Sequence, residues 1–162
     1  MKNTVIDLGC GPQKIEGSFG IDRIPSPNVD LVCDLECFLP LKSDCVDAVH
    51  ASHLLEHIQN LTGLMEEIYR VCRTGALVHI EVPYFTSRGA FRDPTHVHFI
   101  SEETFQYFEP PTDYGMKTNF KILKVEYQYR TFFRFFPKFL QKIFRRHLWN
   151  VVDNMKVILR VD

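Results

Sequence analysis

The sequence predicts an α/β fold on a mostly parallel sheet. Short apolar runs near the N-terminus end in carboxylates, helical and strand-like periodicities then alternate, and two strand-like runs close the chain. The first run, Val5-Ile6-Asp7-Leu8, passes into a Gly-x-Gly turn, Gly9-Cys10-Gly11. The second, Phe19-Gly20-Ile21, ends at Asp22, and the third, Leu31-Val32-Cys33, ends at Asp34. Successive strands of this kind line up acids along the carboxyl edge of a parallel sheet, where open α/β sheets bind their ligands. The glycines let backbone approach a ligand that a Cβ would push away.

Cys45 to Ala51 reads as a fourth strand through Val46, Ala48 and Val49. From Ile58 to Cys72, apolar residues recur at helical spacing on one face, at Leu61, Leu64, Met65, Ile68, Tyr69 and Cys72. Thr74-Gly75 is expected to end that helix. Ala76 to Val82 forms a fifth strand stopped by Pro83, and residues 83–100 form a long loop. Ser101 caps a helix over Glu102 to Phe108, with acids in its first turn. Lys121 to Tyr129 and Met155 to Val161 are the last two strands. Strands alternating with helices give an α/β sheet, and a closing strand pair without a crossover helix points to an antiparallel finish.

A chain of 162 residues has single-domain length. No run is long and apolar enough to span a bilayer, and the start lacks a signal-peptide shape. The five cysteines, Cys10, Cys33, Cys37, Cys45 and Cys72, are odd in number and form no C-x-x-C pair. They read as reduced structural thiols, so a cytoplasmic location is expected. Charge is uneven: residues 1–126 sum to −7, whereas 127–152 hold six Lys/Arg and no acid.

A dinucleotide site would want G-x-G-x-x-G and a helix N-terminus at the pyrophosphate. Here Lys14 stands where the third glycine belongs, and only Pro12 to Ser18 precede the next strand. A phosphate-free ligand fits better. S-adenosylmethionine offers a ribose diol, an amino acid tail and a cationic sulfonium, all suited to carboxylates. On this reading Asp22 accepts from the ribose hydroxyls, Asp34 sits near the adenine amino group, and Asp7 helps hold the turn and the ligand's ammonium.

The stretches DLGCGP, FGIDR, CDLE, HASHLLEHI, RVCRTGALVHIEVPY and DPTHVHFISEETFQYF, in this order, resemble the class I S-adenosylmethionine-dependent methyltransferases. They cover roughly residues 3 to 108. The resemblance implies a Rossmann-like three-layer sandwich: a mostly parallel seven-stranded sheet with an antiparallel last strand. It places the cofactor against Asp7, Gly9, Cys10, Gly11, Asp22, Arg23, Asp34, Leu35, Ser52 and His53. The chain departs from the family pattern at Gln13, in its reduced segment after the first strand, and in lacking a helix before that strand. A lid must then come from elsewhere or from a partner subunit.

Methyl transfer from a sulfonium is an in-line displacement that mainly needs alignment and exclusion of water, so a general base is optional. The resemblance puts Ser52 and His53 near the methyl group. Glu56 and His57 open a helix, where capping is their alternative role. Past the fifth strand, Tyr84, Arg88, Arg92, Asp93, His96 and His98 face the acceptor side in this fold class. A histidine is suited to take a proton from a hydroxyl. Asp93 could orient it or initiate a turn. His53, Asp93, His96 and His98 are therefore the catalytic candidates, with His96 or His98 as the favoured base. Asp93, His96 and His98 could also ligate a metal, but no recognisable ligand spacing completes them, and no metal is expected.

Residues 127–152 carry nine aromatics among the six cations. Behind Pro137, the residues Leu140, Ile143, Phe144, His147 and Leu148 make one helical face, with Lys138, Lys142, Arg145 and Arg146 mainly on the other. This basic aromatic insertion could pack on the domain or a second subunit, or face a membrane surface or lipid substrate. Nucleic acid is disfavoured by the acidic remainder. The sequence thus points to methyl transfer from S-adenosylmethionine to a small or lipid-linked acceptor, at oxygen. A non-catalytic protein docking through 127–152 is the alternative.

Overall fold

The computed structural model describes residues 3–110 and 115–162. Along the chain come β1 (Val5–Leu8), β2 (Phe19–Asp22), β3 (Leu31–Val32), β4 (Val46–Ser52), α1 (Leu61–Val71) and β5 (Cys72–Pro83). These are followed by α2 (Arg88–Arg92), β6 (Phe120–Tyr129), α3 (Lys138–His147) and β7 (Val152–Val161). Short 3-10 helices cover Leu55–His57, Glu102–Phe108 and Phe133–Phe135. The seven strands form one sheet in the order β3-β2-β1-β4-β5-β7-β6. β1 to β5 pair in parallel, and β7 runs antiparallel to both β5 and β6. This is the mixed Rossmann-like sheet that the sequence implies.

Side-chain alternation sorts the sheet into two unlike faces. Ile6, Val49, Val78 and Leu159 pair across one row, and Leu8, Ala51, Ile80 and Val157 across the next. All eight are buried, and α1 adds Leu64, Met65, Ile68 and Val71 to the same cluster. On the opposite face the row Asp7, His50, His79, Ile158 is only partly covered beyond Asp7. Gly9 to Ser18 passes over in turns rather than a helix. A cavity of about 570 Å³ lies there, lined by Asp7, Cys10, His50, Ser52, His79 and Lys156 among others. His50 and His79 stack within it, centroids 4.7 Å apart and planes 8° from parallel.

Several boundaries differ from expectation. Helix α1 starts at Leu61 rather than Ile58 because Asn60 caps it, its side chain accepting from Gly63 N at 3.0 Å. It stops at Val71, and Cys72 already belongs to β5. Thr74-Gly75 therefore marks no helix end. Val46 pairs with Cys72 while Ala48 pairs with Leu77, so Gly75, at φ +85°, sits in a strand irregularity. Cys33 lies just outside β3 and Cys45 just before β4. The 83–100 loop contains α2. The segment after Ser101 is 3-10, with Thr104 Oγ1 accepting from Ser101 N at 3.1 Å. β7 begins at Val152, three residues before Met155.

The insertion behaves differently from its helical-wheel reading. No residue of α3 is fully buried, and Ile143 and Leu148, assigned to its packing face, are about half exposed. Arg145, expected among the solvated cations, turns inward instead. Its guanidinium hydrogen-bonds Tyr84 Oη at 3.0 Å, pairs with Glu102, and lies 3.9 Å from the Tyr127 ring centroid. Phe144 packs beside it against Phe133 and Phe136.

Candidate active site

The Gly turn is fixed by the acids of the first two strands. Gly9 and Gly11 take φ +65° and +52°, a region that favours glycine. Asp7, 5% exposed, accepts from Ile15 N at 2.9 Å and so closes the segment that follows β1. Asp22 accepts from Gly11 N through one oxygen at 2.9 Å and from Ile24 N through the other at 2.8 Å. Gly20 N and Lys14 Nζ both donate to Asp30, which ties β2 to the returning segment. Together these bonds set the rim before any ligand is present.

Beyond that rim lies a cavity of about 200 Å³ whose lining includes Gly9, Asp22, Arg23, Asp34, Leu35 and His53. Gly9 also lines the larger cavity, where Asp7, Cys10 and Ser52 lie. Of the remaining predicted position, Gly11, the backbone N–H is already held by Asp22. Asp34 accepts from Glu36 N at 3.0 Å, and Glu36 in turn accepts from Gln59 N and Asn60 N. That chain of bonds anchors the end of β3 to the start of α1. Burial, followed by the neighbouring Asp7 and Asp22, pushes the Cys10 thiol above its ordinary pKa, so it is a small neutral wall rather than a nucleophile.

His53, just past β4, has a left-handed backbone at φ +53°, uncommon outside glycine and held here by His53 N donating to Glu81 O at 2.8 Å. Its Nδ1 lies 3.2 Å from Glu56 Oε1. That hydrogen bond raises the imidazole's pKa against the opposing effect of burial. Glu56 is 2% exposed, and its Oε2 has no hydrogen-bond partner. Its backbone carbonyl accepts from Val97 N and His98 N, docking the loop after α2 onto this turn.

The other candidates separate. Asp93 is committed to Thr95, accepting from both its N–H and its hydroxyl, and this holds its carboxyl below the usual range. It is a turn-former. His96 Nδ1 lies 2.9 Å from Ala90 O, and since a carbonyl only accepts, Nδ1 is the protonated nitrogen. His98 faces a different groove, with Gln59 and Tyr107. The fold thus gathers His53, Glu56, His57 and His96, and leaves His98 aside. Arg88 and Arg92 are exposed on α2, away from these bonds.

Sequence reasoning missed the network of Tyr84, Glu102, Tyr127 and Arg145. Burial pushes the Tyr84 hydroxyl up to about 12 and raises Tyr127 further. Glu102 is pushed up by burial, but its own backbone N–H, Arg145 and Tyr84 outweigh that and leave it below the ordinary range. Glu102 and Arg145 are 43 residues apart, so no local pattern links them. Glu56 had a visible cue, a carboxylate three residues after His53.

Residues 14–80 match the family described as methyltransferase domain. In structure the chain is similar to a SAM-dependent methyltransferase from Archaeoglobus fulgidus, with 18% identity, 98% of this chain and 86% of that one covered, and TM-score 0.68. It is similar also to an S-adenosylmethionine-dependent methyltransferase from Mesorhizobium loti, with 14% identity, coverages of 97% and 90%, and TM-score 0.63. A third similar chain comes from the complex between the Haloferax volcanii Trm112 methyltransferase activator and a methyltransferase, with 14% identity, coverages of 98% and 82%, and TM-score 0.63. No curated protein matches in sequence. The structural likenesses, at these identities, show the fold, that of S-adenosylmethionine-dependent methyltransferases, and the sequence match places a methyltransferase-domain likeness over residues 14–80 of it.

Proposed function

We propose that this chain is an S-adenosylmethionine-dependent methyltransferase acting on an oxygen of a small or lipid-linked acceptor, with its cofactor in the cavity between Gly9, Asp22, Asp34 and His53. The observation that carries this reading is the convergence of those residues, from four different strand ends, on one 200 Å³ cavity. S-adenosylmethionine, when bound, supplies a methyl group on a sulfonium. Asp22 and Asp34 keep carboxylate lone pairs for the ribose hydroxyls and adenine amino group, since each oxygen accepts more than one hydrogen bond. Gly9 leaves room on the wall that both cavities share. Asp7, Cys10, Gly11, Arg23, Leu35 and Ser52 complete the surround.

His53 is the proton acceptor in this reading. Its Nδ1–H donates to Glu56, which orients the ring and leaves Nε2 with a lone pair for an acceptor hydroxyl. His98 and Asp93 take no part, and His96 serves the loop instead. Isothermal titration with S-adenosylhomocysteine should give binding in the micromolar range. Asp22→Ala should weaken it roughly 30-fold, the equivalent of about 2 kcal/mol for a charged hydrogen bond. Absence of heat from the unaltered chain would overturn the reading. A screen of hydroxyl-bearing acceptors with labelled methyl donor then identifies the substrate.

The acceptor is drawn toward lipids by the insertion. Phe132, Phe135 and Phe139 are 69%, 75% and 65% exposed, with Lys138, Lys142 and Arg146 exposed beside them. Among the described residues no helix is long and apolar enough to cross a membrane, so this is a surface contact. The same aromatics favour a second reading, a non-catalytic protein that docks on a membrane, a partner or a second copy. Co-sedimentation with anionic vesicles, compared with a chain lacking Thr131 to Asn150, separates the two when combined with the titration above.

A further inference from the structure

The geometry points to a divalent transition-metal site formed by Glu56, His57 and His96, distinct from the residues assigned to S-adenosylmethionine. One ligand-capable atom from each of the three lies within 4.8 Å of the others. Two histidines and a carboxylate are a common ligand set for zinc and for iron(II), with positions left open for water or substrate. Ligands about 2.0–2.1 Å from a zinc stand about 3.3 Å apart, so small side-chain rotations close this triangle. The proposal does not depend on whether the chain transfers methyl groups.

Three independent features support it. Glu56 is 2% exposed, yet Oε2 has no hydrogen-bond partner. A buried carboxylate oxygen without a partner is costly, and a cation at this point would compensate it. The two imidazoles are also held in the orientation that metal-binding histidines show. His96 gives its Nδ1–H to Ala90 O, which leaves Nε2 as the free lone pair. His57 Nδ1 lies 2.9 Å from Thr95 Oγ1, whose own proton goes to Asp93, so His57 Nδ1 must be the donor and Nε2 is again free. A backbone carbonyl and a hydroxyl–carboxylate pair are the outer partners such ligands normally have. Finally, the two rings stand 4.7 Å apart at 73°, edge to face rather than stacked, with Glu56 between the strand-end turn and the loop that its carbonyl receives.

The site explains how the 93–98 loop is held. Otherwise it is fastened by backbone bonds to Glu56 O, the Thr95–His57 contact, His96 on Ala90 O and a long His98–Gln59 O bond. With a cation in place, the loop, the 3-10 turn at Leu55–His57 and the wall of the cofactor cavity become one unit, because His57 and Thr95 both line that cavity. This use of His96 replaces its expected role as a proton acceptor.

The test uses the full chain, freed of metal with a chelator and titrated with Zn²⁺ by calorimetry and with Co²⁺ by absorbance. One equivalent should bind, with visible bands of nitrogen–oxygen ligation and no thiolate charge-transfer band. Glu56→Gln and His96→Ala should each weaken binding at least tenfold, whereas His98→Ala should leave it unchanged. Zn²⁺ should raise the unfolding temperature of the unaltered chain and not of His96→Ala, a loop substitution that keeps the test valid if Glu56→Gln does not fold. No binding, binding unchanged in His96→Ala, or a thiolate band assigning the metal to the cysteines would each overturn the proposal.

Discussion

Asp22 shows how one side chain can hold a turn and line a cavity together. It is bonded to Gly11 N and Ile24 N, and it still lines the cavity of about 200 Å³. Glycines around it differ in what they do. At Gly20 a Cβ would meet Lys14 Cδ at 2.6 Å, Cys10 Sγ at 2.8 Å and Asn28 O at 2.9 Å. The lysine can move away, but the buried thiol and the backbone carbonyl cannot. Gly20→Ala should therefore cost about 2 kcal/mol by overpacking, read from urea unfolding. At Gly11 there is open space around the Cβ position but φ is +52°, so the cost of alanine is only the backbone strain, about 1 kcal/mol.

Among the elements, α3 is tied down by a part-buried ion pair at Arg145 beside the packing of Phe144. Arg145 links it to the end of β5 through Tyr84, to the 3-10 helix at Glu102 and to β6 through Tyr127. Arg145→Met keeps the length and removes the charge, leaving Glu102 without its cation. It should destabilise the chain by about 2 kcal/mol in urea unfolding at neutral pH. The acid limb should change as well. Because the folded Glu102 pKa is depressed, its contribution is complete above the unfolded value of about 4.3 and is lost as pH falls through the folded one. Arg145→Met should flatten that part of the pH–stability curve. Much of the element order was legible in the sequence, because β1, β2 and β6 are set by local apolar runs and turns. The inward turn of Arg145 was not, since a helical wheel records spacing and not a partner 43 residues away. Thr74-Gly75 misled for a related reason. Glycine signals a positive φ, but whether a helix end or a strand irregularity uses it depends on the pairing partner. Likewise, the acids Asp22 and Asp34 that line one cavity announced themselves at strand ends, whereas Glu56, His57 and His96 meet only through loop docking.

The molecule as a whole is one-sided: its core fills one face of the sheet, and the other keeps the stacked His50 and His79 in an open cavity. Burial lowers both imidazole pKa values, with Asp7 opposing this at His50 and His50 adding to it at His79. Both are therefore neutral at neutral pH. The unfolded chain takes up protons first, so stability is complete above about pH 6.5 and falls as pH drops through the folded values. His79→Leu should shrink this loss, measured as unfolding temperature between neutral pH and about pH 5. The same side is where a lid or a second chain has room to sit.

The direct passage from α1 into β5 has a consequence for how this sheet tolerates change in length. Between the pairs Val46–Cys72 and Ala48–Leu77, β5 carries surplus chain whose Arg73, Thr74 and Gly75 stay in solvent. That surplus is slack. A residue inserted at Gly75 should enlarge the kink and leave the downstream register intact, with near-unchanged circular dichroism and unfolding temperature. The same insertion between Val78 and His79 has nowhere to go. It would turn the strand over, sending His79 into the oily interior and Ile80 and Val82 out of it, and the domain should fail to fold.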